Sequence, residues 1–304
     1  MFYHLAYSKK SAFTKKTERT YFMTSPRTLL SAWNLSPKKQ YGQNFLADPS
    51  TAEMIIFRSK ILPEDIILEV GSGLGALTIP LAAAAHQVYA VEKDPNLVQV
   101  LQNEILSKSI DNVEILNENI LKLDINGLAA KHDRKIIVFG NLPYNISSQI
   151  LIKLIKERSC VSRAILMFQK ELAQRICGKP GSKDYGRISV MLKYCADTAK
   201  IADVKASLFY PKPKIDSEIL EIRFKEHQDV VADDETFFFS VIKAAFGKRR
   251  KTLKNSLSAS ELGISAQNAE SALNSAGIDP SRRSETLNIE EFVKLGNTVY
   301  KSMI

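Results

Sequence analysis

The chain is poor in the residues that build disulfide frameworks and metal centres. Its 304 residues include only three cysteines and four histidines. No two cysteines form a Cys-x-x-Cys pair, and no histidine stands at metal-ligand spacing from them. We therefore expect reduced thiols in a cytosol-like compartment and no bound metal.

The sequence also lacks an apolar run long enough to span a membrane. The Ala-rich stretch at 77–85 is short and predicts a core helix instead. An apolar content of 45% supports a packed core, and the length suits one large or two modest domains. We expect a monomer without a membrane partner.

Acidic residues are nearly absent from the first forty positions, where Glu18 is the single one. Eight basic residues there carry a net +7 of the total charge of +9. This excess indicates a polyanionic partner, although basic charge can also serve solubility alone. Residues 1–38 lack clear periodicity and predict a flexible basic arm of a cytoplasmic protein. An organellar transit peptide is the alternative, and Met23 is a second candidate start.

Strands and helices alternate from residue 65 onward, which predicts a doubly wound α/β sheet. After residue 224 the pattern changes to helices alone. We therefore predict a Rossmann-like domain over 39–224 and a small helical domain over 225–304. The predicted strands are 66–70, 87–91, 113–116, 136–139, 163–168, 200–204 and 217–224, and the predicted C-terminal helices are 237–245, 253–257, 266–276 and 289–299.

A glycine turn follows the first predicted strand, with Gly71 and Gly73 in a Gly-x-Gly-x-x-Ala pattern. Glu92 ends the second strand about twenty residues later, where its carboxylate can accept from ribose hydroxyls. NAD and S-adenosylmethionine both present such a ribose, and the turn alone leaves the two about equal. The additional Gly75 and the preceding Glu69 favour S-adenosylmethionine.

The motif Asn-Leu-Pro-Tyr at 141–144 follows the fourth predicted strand and is the most informative stretch of the chain. Asn141 offers a side-chain carbonyl, and Leu142 offers a backbone carbonyl whose direction Pro143 restricts. Tyr144 offers a flat ring. Two acceptors and a stacking face suit an aromatic base with an exocyclic amine. A strand-ending turn with a buried tyrosine is the alternative, but hydride transfer has no use for such a pocket.

Several further motifs occur in one order along the chain. Together they resemble an adenine-dimethylating rRNA methyltransferase family of the ribosome-biogenesis type, from about Lys39 to the C-terminus. The matching stretches lie at 41–46, 69–75, 140–145, 169–171, 185–187, 209–217, 246–251, 276–280 and 283–287.

The resemblance implies S-adenosylmethionine as the methyl donor and assigns its contacts by position. Asn44 and Leu46 would hold the methionine end, with Gly71 bordering it. Asn141 would lie between the donor and the target amine. Asn119 is a departure, since the family usually has an aspartate there to accept from the adenine amine of the donor. An asparagine oxygen still accepts, but without charge.

The target base must leave its stack to reach the pocket. We expect Tyr144 to stack on one face of the base. Phe209, beside a loop stiffened by prolines, is predicted either to close the other face or to anchor that loop in the core. A basic track is predicted to contact phosphates, although a charge run can also be a solvated helix end. It comprises Lys170, Arg187, Lys248, Arg249, Arg250, Lys251 and Lys254.

The substrate that the resemblance implies is small-subunit rRNA within an assembling subunit, dimethylated at two adjacent adenines near its 3′ end. Two alternatives stay open. The same motifs resemble resistance-type methyltransferases of large-subunit rRNA, although the tail at 277–280 favours the biogenesis type. A non-catalytic ribosome-assembly or transcription factor of this fold is the other, and the intact 141–144 motif argues against it.

Overall fold

A computed structural model describes residues 24–248 and 250–303. These residues form two β-sheets and a set of α-helices. The strands are β1 (Phe45–Leu46), β2 (Ile66–Val70), β3 (Gln87–Val91), β4 (Val113–Leu116), β5 (Ile136–Asn141), β6 (Val161–Gln169), β7 (Ala196–Val204), β8 (Phe209–Tyr210) and β9 (Ser217–Phe224).

Helices follow most strands, and several begin at a side chain suited to cap them. The helices are α1 (Pro26–Ala32), α2 (Pro49–Ser59), α3 (Thr78–Ala84), α4 (Pro95–Ser107), α5 (Ile125–Ala130), α6 (Ser147–Lys156), α7 (Lys170–Ile176), α8 (Arg187–Cys195), α9 (Glu235–Ala245), α10 (Leu253–Ser258), α11 (Ala266–Ser275) and α12 (Ile289–Met303). Asp94 caps α4, Asp124 caps α5 and Asp234 caps α9, each by accepting from a backbone N–H of the first turn.

The larger sheet has seven strands in the order β4-β3-β2-β5-β6-β9-β7. The pairs from β4 to β6 are parallel, whereas β9 is antiparallel to both β6 and β7. A second, two-stranded sheet joins β1 to β8, with Leu46 opposite Phe209. The predicted strands and the Rossmann-like class are confirmed.

Apolar side chains cover both faces of the larger sheet. One face packs on α2, α3 and α4, and the other packs on α6, α8 and the C-terminal helices. Tyr194 of α8 joins the C-terminal helices to the sheet, since its ring lies 4.9 Å from that of Phe238 in α9. The C-terminal helices therefore share a core with the sheet, and the domain boundary near 225 stays a prediction.

The predicted flexible arm over 1–38 differs from the structure in its last part, and residues 1–23 lie outside the described residues. Residues 26–32 form α1, whose Leu29 and Leu30 are buried against Leu97 and Val100 of α4. Burial of this leucine pair orders the helix, although one turn of apolar residues is too short to show a period in the sequence.

Across 24–248 and 250–303, no helix is both long and apolar enough to cross a membrane. In the same described part of the chain, no cluster of three or more His, Cys, Asp or Glu side chains could hold a metal ion.

Candidate active site

A cleft with a volume of about 300 Å³ opens beside the carboxyl ends of β2 and β5. The sheet order reverses at this point, because the chain runs from β2 out to β4 and then returns to β5 on the other side. Ligands of doubly wound sheets bind at such reversals. Since Val70 is paired with Gly140, the glycine turn and the Asn-Leu-Pro-Tyr motif leave the sheet side by side.

Ten of the residues predicted to form the site line this cleft. They come from five separate stretches of the chain, brought together by the sheet. They are Asn44, Leu46, Gly71, Gly73, Glu92, Asn119, Asn141, Leu142, Pro143 and Tyr144.

The glycine turn passes directly against the Asn-Leu-Pro-Tyr motif. Gly71 has a φ of +73°, which favours glycine, and a Cβ there would lie 3.8 Å from the Asn141 carbonyl oxygen. Next to it, the Oγ of Ser72 is buried and has no hydrogen-bond partner among the described residues. An unsatisfied hydroxyl in a cleft wall is costly, and a bound polar group would satisfy it.

Glu92 is buried at the end of β3, with its carboxylate held by the backbone. Its Oε2 accepts from the Gly73 N–H at 2.9 Å and its Oε1 accepts from the Asp94 N–H at 2.8 Å. Burial raises the pKa of Glu92 above its usual value, although the backbone donors oppose that shift. The carboxylate is thus fixed in orientation beside the glycine turn, as a group that accepts from a ribose diol must be.

A second carboxylate, Glu69, is completely buried in the same cleft wall. Its Oε2 accepts from the Thr78 hydroxyl at 2.5 Å. Burial raises its pKa to about 7, with a smaller contribution from the neighbouring Glu92. The sequence indicated this residue as favouring the methyl donor. Its raised pKa could not be predicted from the sequence, because it depends on how deeply the side chain is buried.

Asn141 is the last residue of β5 and lines the cleft. Its side-chain nitrogen donates to the main-chain oxygen of Asn44 at 2.9 Å. Because the nitrogen and oxygen of an amide lie on opposite sides, this bond fixes the direction of Oδ1. Leu142 is buried to 1% exposure, so its side chain anchors the motif while its backbone lines the cleft.

Tyr144 is half-buried, and its ring forms part of the cleft wall. Its hydroxyl lies 3.3 Å from the Oγ of Ser217, the first residue of β9. That separation is long for a contact between two hydroxyl groups, and hence it is a weak hydrogen bond. Burial raises the pKa of Tyr144, so the phenol stays protonated at neutral pH.

Asn119 lines the cleft as expected, and its side chain also stabilises its own turn. Its Oδ1 accepts from the Leu121 N–H at 3.1 Å, as asparagine does in an Asx turn. The two interpretations of this residue, as a donor contact and as a turn residue, are therefore compatible.

Phe209 does not line the cleft. Its ring is 4% exposed, lies opposite Leu46 in the small sheet and packs in the core cluster behind the site. In this position Phe209 anchors the loop in the core, and its assignment to the catalytic group stays a prediction. An aromatic residue before a proline-rich loop has the same sequence pattern in both roles, so the sequence left them equal.

The predicted basic track is only partly as expected. Lys170, Lys248, Arg250 and Lys251 are exposed, whereas Arg249 lies outside the described residues. Lys254 is half-buried, and its ammonium group forms an ion pair with Glu270. Arg187 is half-buried at the start of α8, with a buried Nε that has no partner among the described residues.

Among the cleft residues to which sequence reasoning gave no role are Tyr41 and Gln43, which precede Asn44 in the 41–46 motif. Two ammonium groups lie near the ring of Tyr41, with Lys38 Nζ at 5.7 Å and Lys93 Nζ at 5.5 Å from its centroid. The motif was the available signal, but only its asparagine and last leucine were assigned a role.

Comparison with known proteins identifies the family. The family described as ribosomal RNA adenine dimethylase matches residues 34–301, which is most of the chain. The chain belongs to the ribosomal RNA adenine dimethylase family. The resemblance predicted from the motifs is thus confirmed.

Relatives in this family match along almost their whole length. The chain is 49% identical over 278 residues to ribosomal RNA small subunit methyltransferase A of Desulforapulum autotrophicum, covering 91% of this chain and 97% of that protein. The protein of the same name from Syntrophotalea carbinolica is 42% identical over 266 residues, covering 88% and 98%. Among solved structures, a dimethyladenosine transferase from Plasmodium falciparum is similar with a TM-score of 0.67 and 26% identity, covering 83% of this chain and 95% of that one.

Proposed function

We propose that this protein transfers methyl groups from S-adenosylmethionine to the exocyclic amines of two adjacent adenines near the 3′ end of small-subunit rRNA. The names of its relatives support the substrate, since they are small-subunit rRNA methyltransferases. The observation that carries the chemistry is the bond from Asn141 to Asn44, because it turns an amide oxygen into a fixed acceptor at the cleft.

Three features of the cleft fit the proposed methyl donor, S-adenosylmethionine. Glu92 presents a fixed carboxylate for the ribose hydroxyls, and the buried Ser72 hydroxyl awaits a polar partner. At Gly71, a Cβ would narrow the passage towards Asn141 and Pro143. When bound, the donor supplies an activated methyl group on a sulfonium, and the residues of this chain bind and orient both reactants.

The adenine amine is a poor nucleophile because its lone pair is delocalised into the ring. Acceptors at Asn141 Oδ1 and the Leu142 carbonyl would bind both amine hydrogens and favour a pyramidal nitrogen. As positive charge develops on that nitrogen, these fixed dipoles stabilise it. Alignment of the amine with the methyl group supplies most of the remaining rate enhancement. No strong general base is required, because the methylated ammonium is acidic enough to release its proton to water.

A second methyl transfer requires room for one methyl group beside the amine. The target base must also flip out of its stack in the RNA to reach the pocket. Tyr144 supports the flipped base by stacking. The weak contact to Ser217 leaves the ring, rather than the hydroxyl, as the functional part of this side chain. Phe209 supports the site from behind, by holding Leu46 in the small sheet.

We propose that the RNA contacts the exposed basic residues of the predicted track. Lys170 starts α7 directly after β6, and Lys248, Arg250 and Lys251 lie between α9 and α10. Lys254 contributes less because its charge is neutralised by Glu270. The helical C-terminal region thus carries the surface that holds the polynucleotide.

The proposal is tested by transfer of labelled methyl groups to two substrates. We expect incorporation of up to four methyl groups per immature small subunit, on two adenines, and none on naked large-subunit rRNA. The Asn141→Ala variant provides the background. Labelling of large-subunit rRNA alone would instead support the resistance-type activity, and no labelling of either would support a non-catalytic assembly factor.

A further inference from the structure

We call residues 38–44 the strap. This segment connects the donor half of the cleft, beside Glu92, to the half beside Asn141. Its first residue, Lys38, and Gln43 near its end both bind Asp94. Its last residue, Asn44, accepts through its carbonyl from the side chain of Asn141. Residues 40–44 line the cleft.

Asp94 is the anchor of the strap and is 1% exposed. Its carboxylate lies 2.8 Å from the ammonium of Lys38 and accepts from Gln43 Nε2 at 3.1 Å. The strap is closed on itself as well, since the Lys38 N–H donates to Gln43 Oε1 at 2.7 Å. Asp94 does not itself line the cleft, so any effect on a ligand must pass through the residues it holds.

The anchor is directly linked to the carboxylate that we assign to the ribose. The Asp94 N–H donates to Glu92 Oε1 at 2.8 Å. One residue therefore orients Glu92 through its backbone and holds the strap through its side chain.

Helix capping alone does not account for this arrangement. Asp94 caps α4 by accepting from the Asn96 N–H at 3.2 Å. Asp124 caps α5 in the same way, accepting from the Gly127 N–H at 3.0 Å, but it is exposed. A buried carboxylate is costly unless it is paired, and the strap supplies the pairing.

The charge state of the anchor agrees with this geometry. Burial raises the pKa of Asp94, but the hydrogen bonds from Lys38 and Gln43 outweigh it, and its pKa ends below the usual value. The anchor is therefore ionised at neutral pH, and its ion pair with Lys38 persists.

We propose that Asp94 is a positioning residue that fastens the strap over the donor half of the cleft, so that donor affinity depends on a carboxylate outside the cleft. This inference rests on the proposed function, because it takes the donor to be S-adenosylmethionine. The strap also carries Asn44, and its closure therefore sets the amide of Asn141 at the same time as it encloses the donor.

The test compares Asp94→Asn and Lys38→Met with the wild-type protein and with Asp124→Asn. Asparagine is a good helix cap, so Asp94→Asn removes the charge pair while keeping α4 capped. Asp124→Asn makes the same change at a cap without a strap. Lys38→Arg keeps the charge and serves as the conservative rescue.

Calorimetry with S-adenosylmethionine should show that Asp94→Asn and Lys38→Met each raise the donor Kd about 5- to 10-fold. The double variant should be no weaker than either single variant, because both remove one interaction. Lys38→Arg and Asp124→Asn should stay within about twofold of wild type. In turnover assays the donor KM should rise in parallel, whereas the rate at saturating donor should fall less than about threefold, since donor binding closes the strap.

Hydrogen exchange of the donor-free proteins gives a readout that does not depend on the donor. Backbone amides within 39–44 should exchange faster in Asp94→Asn than in wild type or Asp124→Asn. Unchanged exchange together with an unchanged donor Kd would overturn the inference and leave Asp94 as a helix cap only. Additive effects in the double variant would also overturn it. Failure of the wild-type protein to bind donor would instead contradict the proposed function.

Discussion

The side-chain nitrogen of Asn141 donates a hydrogen bond to the main-chain oxygen of Asn44 at 2.9 Å, although the two residues are 97 positions apart. This bond joins the segment before β1 to the end of β5. It determines which end of the Asn141 amide is available as an acceptor. The chemistry that we propose depends on that acceptor.

Tyr144 should tolerate loss of its hydroxyl but not of its ring. Tyr144→Phe removes only the weak 3.3 Å contact to Ser217, and single-turnover methyl transfer should stay within about threefold of wild type. Tyr144→Ala removes the stacking surface and should slow transfer roughly 10- to 100-fold, as expected for about 1–3 kcal/mol per stacked base. A Tyr144→Phe variant as slow as Tyr144→Ala would mean that the phenol takes part in proton transfer or hydrogen bonding.

Glu69 should make the stability of the donor-free protein depend on pH. Its pKa rises from an ordinary value of 4.5 to about 7 on folding, so the folded state holds a proton that the unfolded state has lost. This contribution is fully present below about pH 4.5 and disappears as the pH rises through about 7. Urea unfolding should therefore show that wild type loses more stability than Glu69→Gln between pH 5 and pH 8. Parallel pH profiles for the two proteins would rule out this assignment.

Asn119→Asp should tighten donor binding by about two- to fivefold, because a charged acceptor makes a stronger hydrogen bond than a neutral one. The substitution keeps the side-chain oxygen that accepts from the Leu121 N–H, so the turn should persist. Calorimetry with S-adenosylmethionine measures the change. A weaker affinity in Asn119→Asp would show that this side chain does not face the adenine amine of the donor.

The basic track should show itself in the salt dependence of RNA binding. Neutralising Arg250 and Lys251 should lower the slope of log K against log salt by roughly one unit per lost phosphate contact. Lys254→Gln is the matched control, because Glu270 already neutralises that ammonium, and its slope should change much less. Donor affinity should be unchanged in all variants. Equal slopes for the double variant and wild type would show that these side chains are only solvated.

Much of the architecture could be predicted because hydrophobic periodicity and turn residues in the sequence indicate it directly. The buried strands read as short apolar runs, and the carboxyl ends of β2, β3 and β5 meet at one edge of the sheet. That rule predicts from the sequence that Gly71, Glu92 and Asn141 lie close together. Local sequence was sufficient here because each residue follows directly from the strand that carries it.

The remaining features depend on partners far away in the sequence. The sequence indicates a free cation at Lys254, whereas in the structure Glu270 forms an ion pair with it. It indicates an ordinary helix cap at Asp94, whereas in the structure the strap also binds this carboxylate. Phe209 is apolar in either of its two predicted roles, and only the folded chain shows that it is paired with Leu46. Such contacts have no local period or motif, so a single sequence cannot specify them.

Single-turnover methyl transfer by Asn141→Ala on undermethylated small subunits tests the central claim most directly. Loss of one fixed dipole at a developing charge typically costs about 10²- to 10³-fold in rate, and we expect a decrease of that size at saturating donor, with RNA affinity within about threefold of wild type. A rate within about threefold of wild type, or a loss explained entirely by weaker RNA binding, would contradict the account.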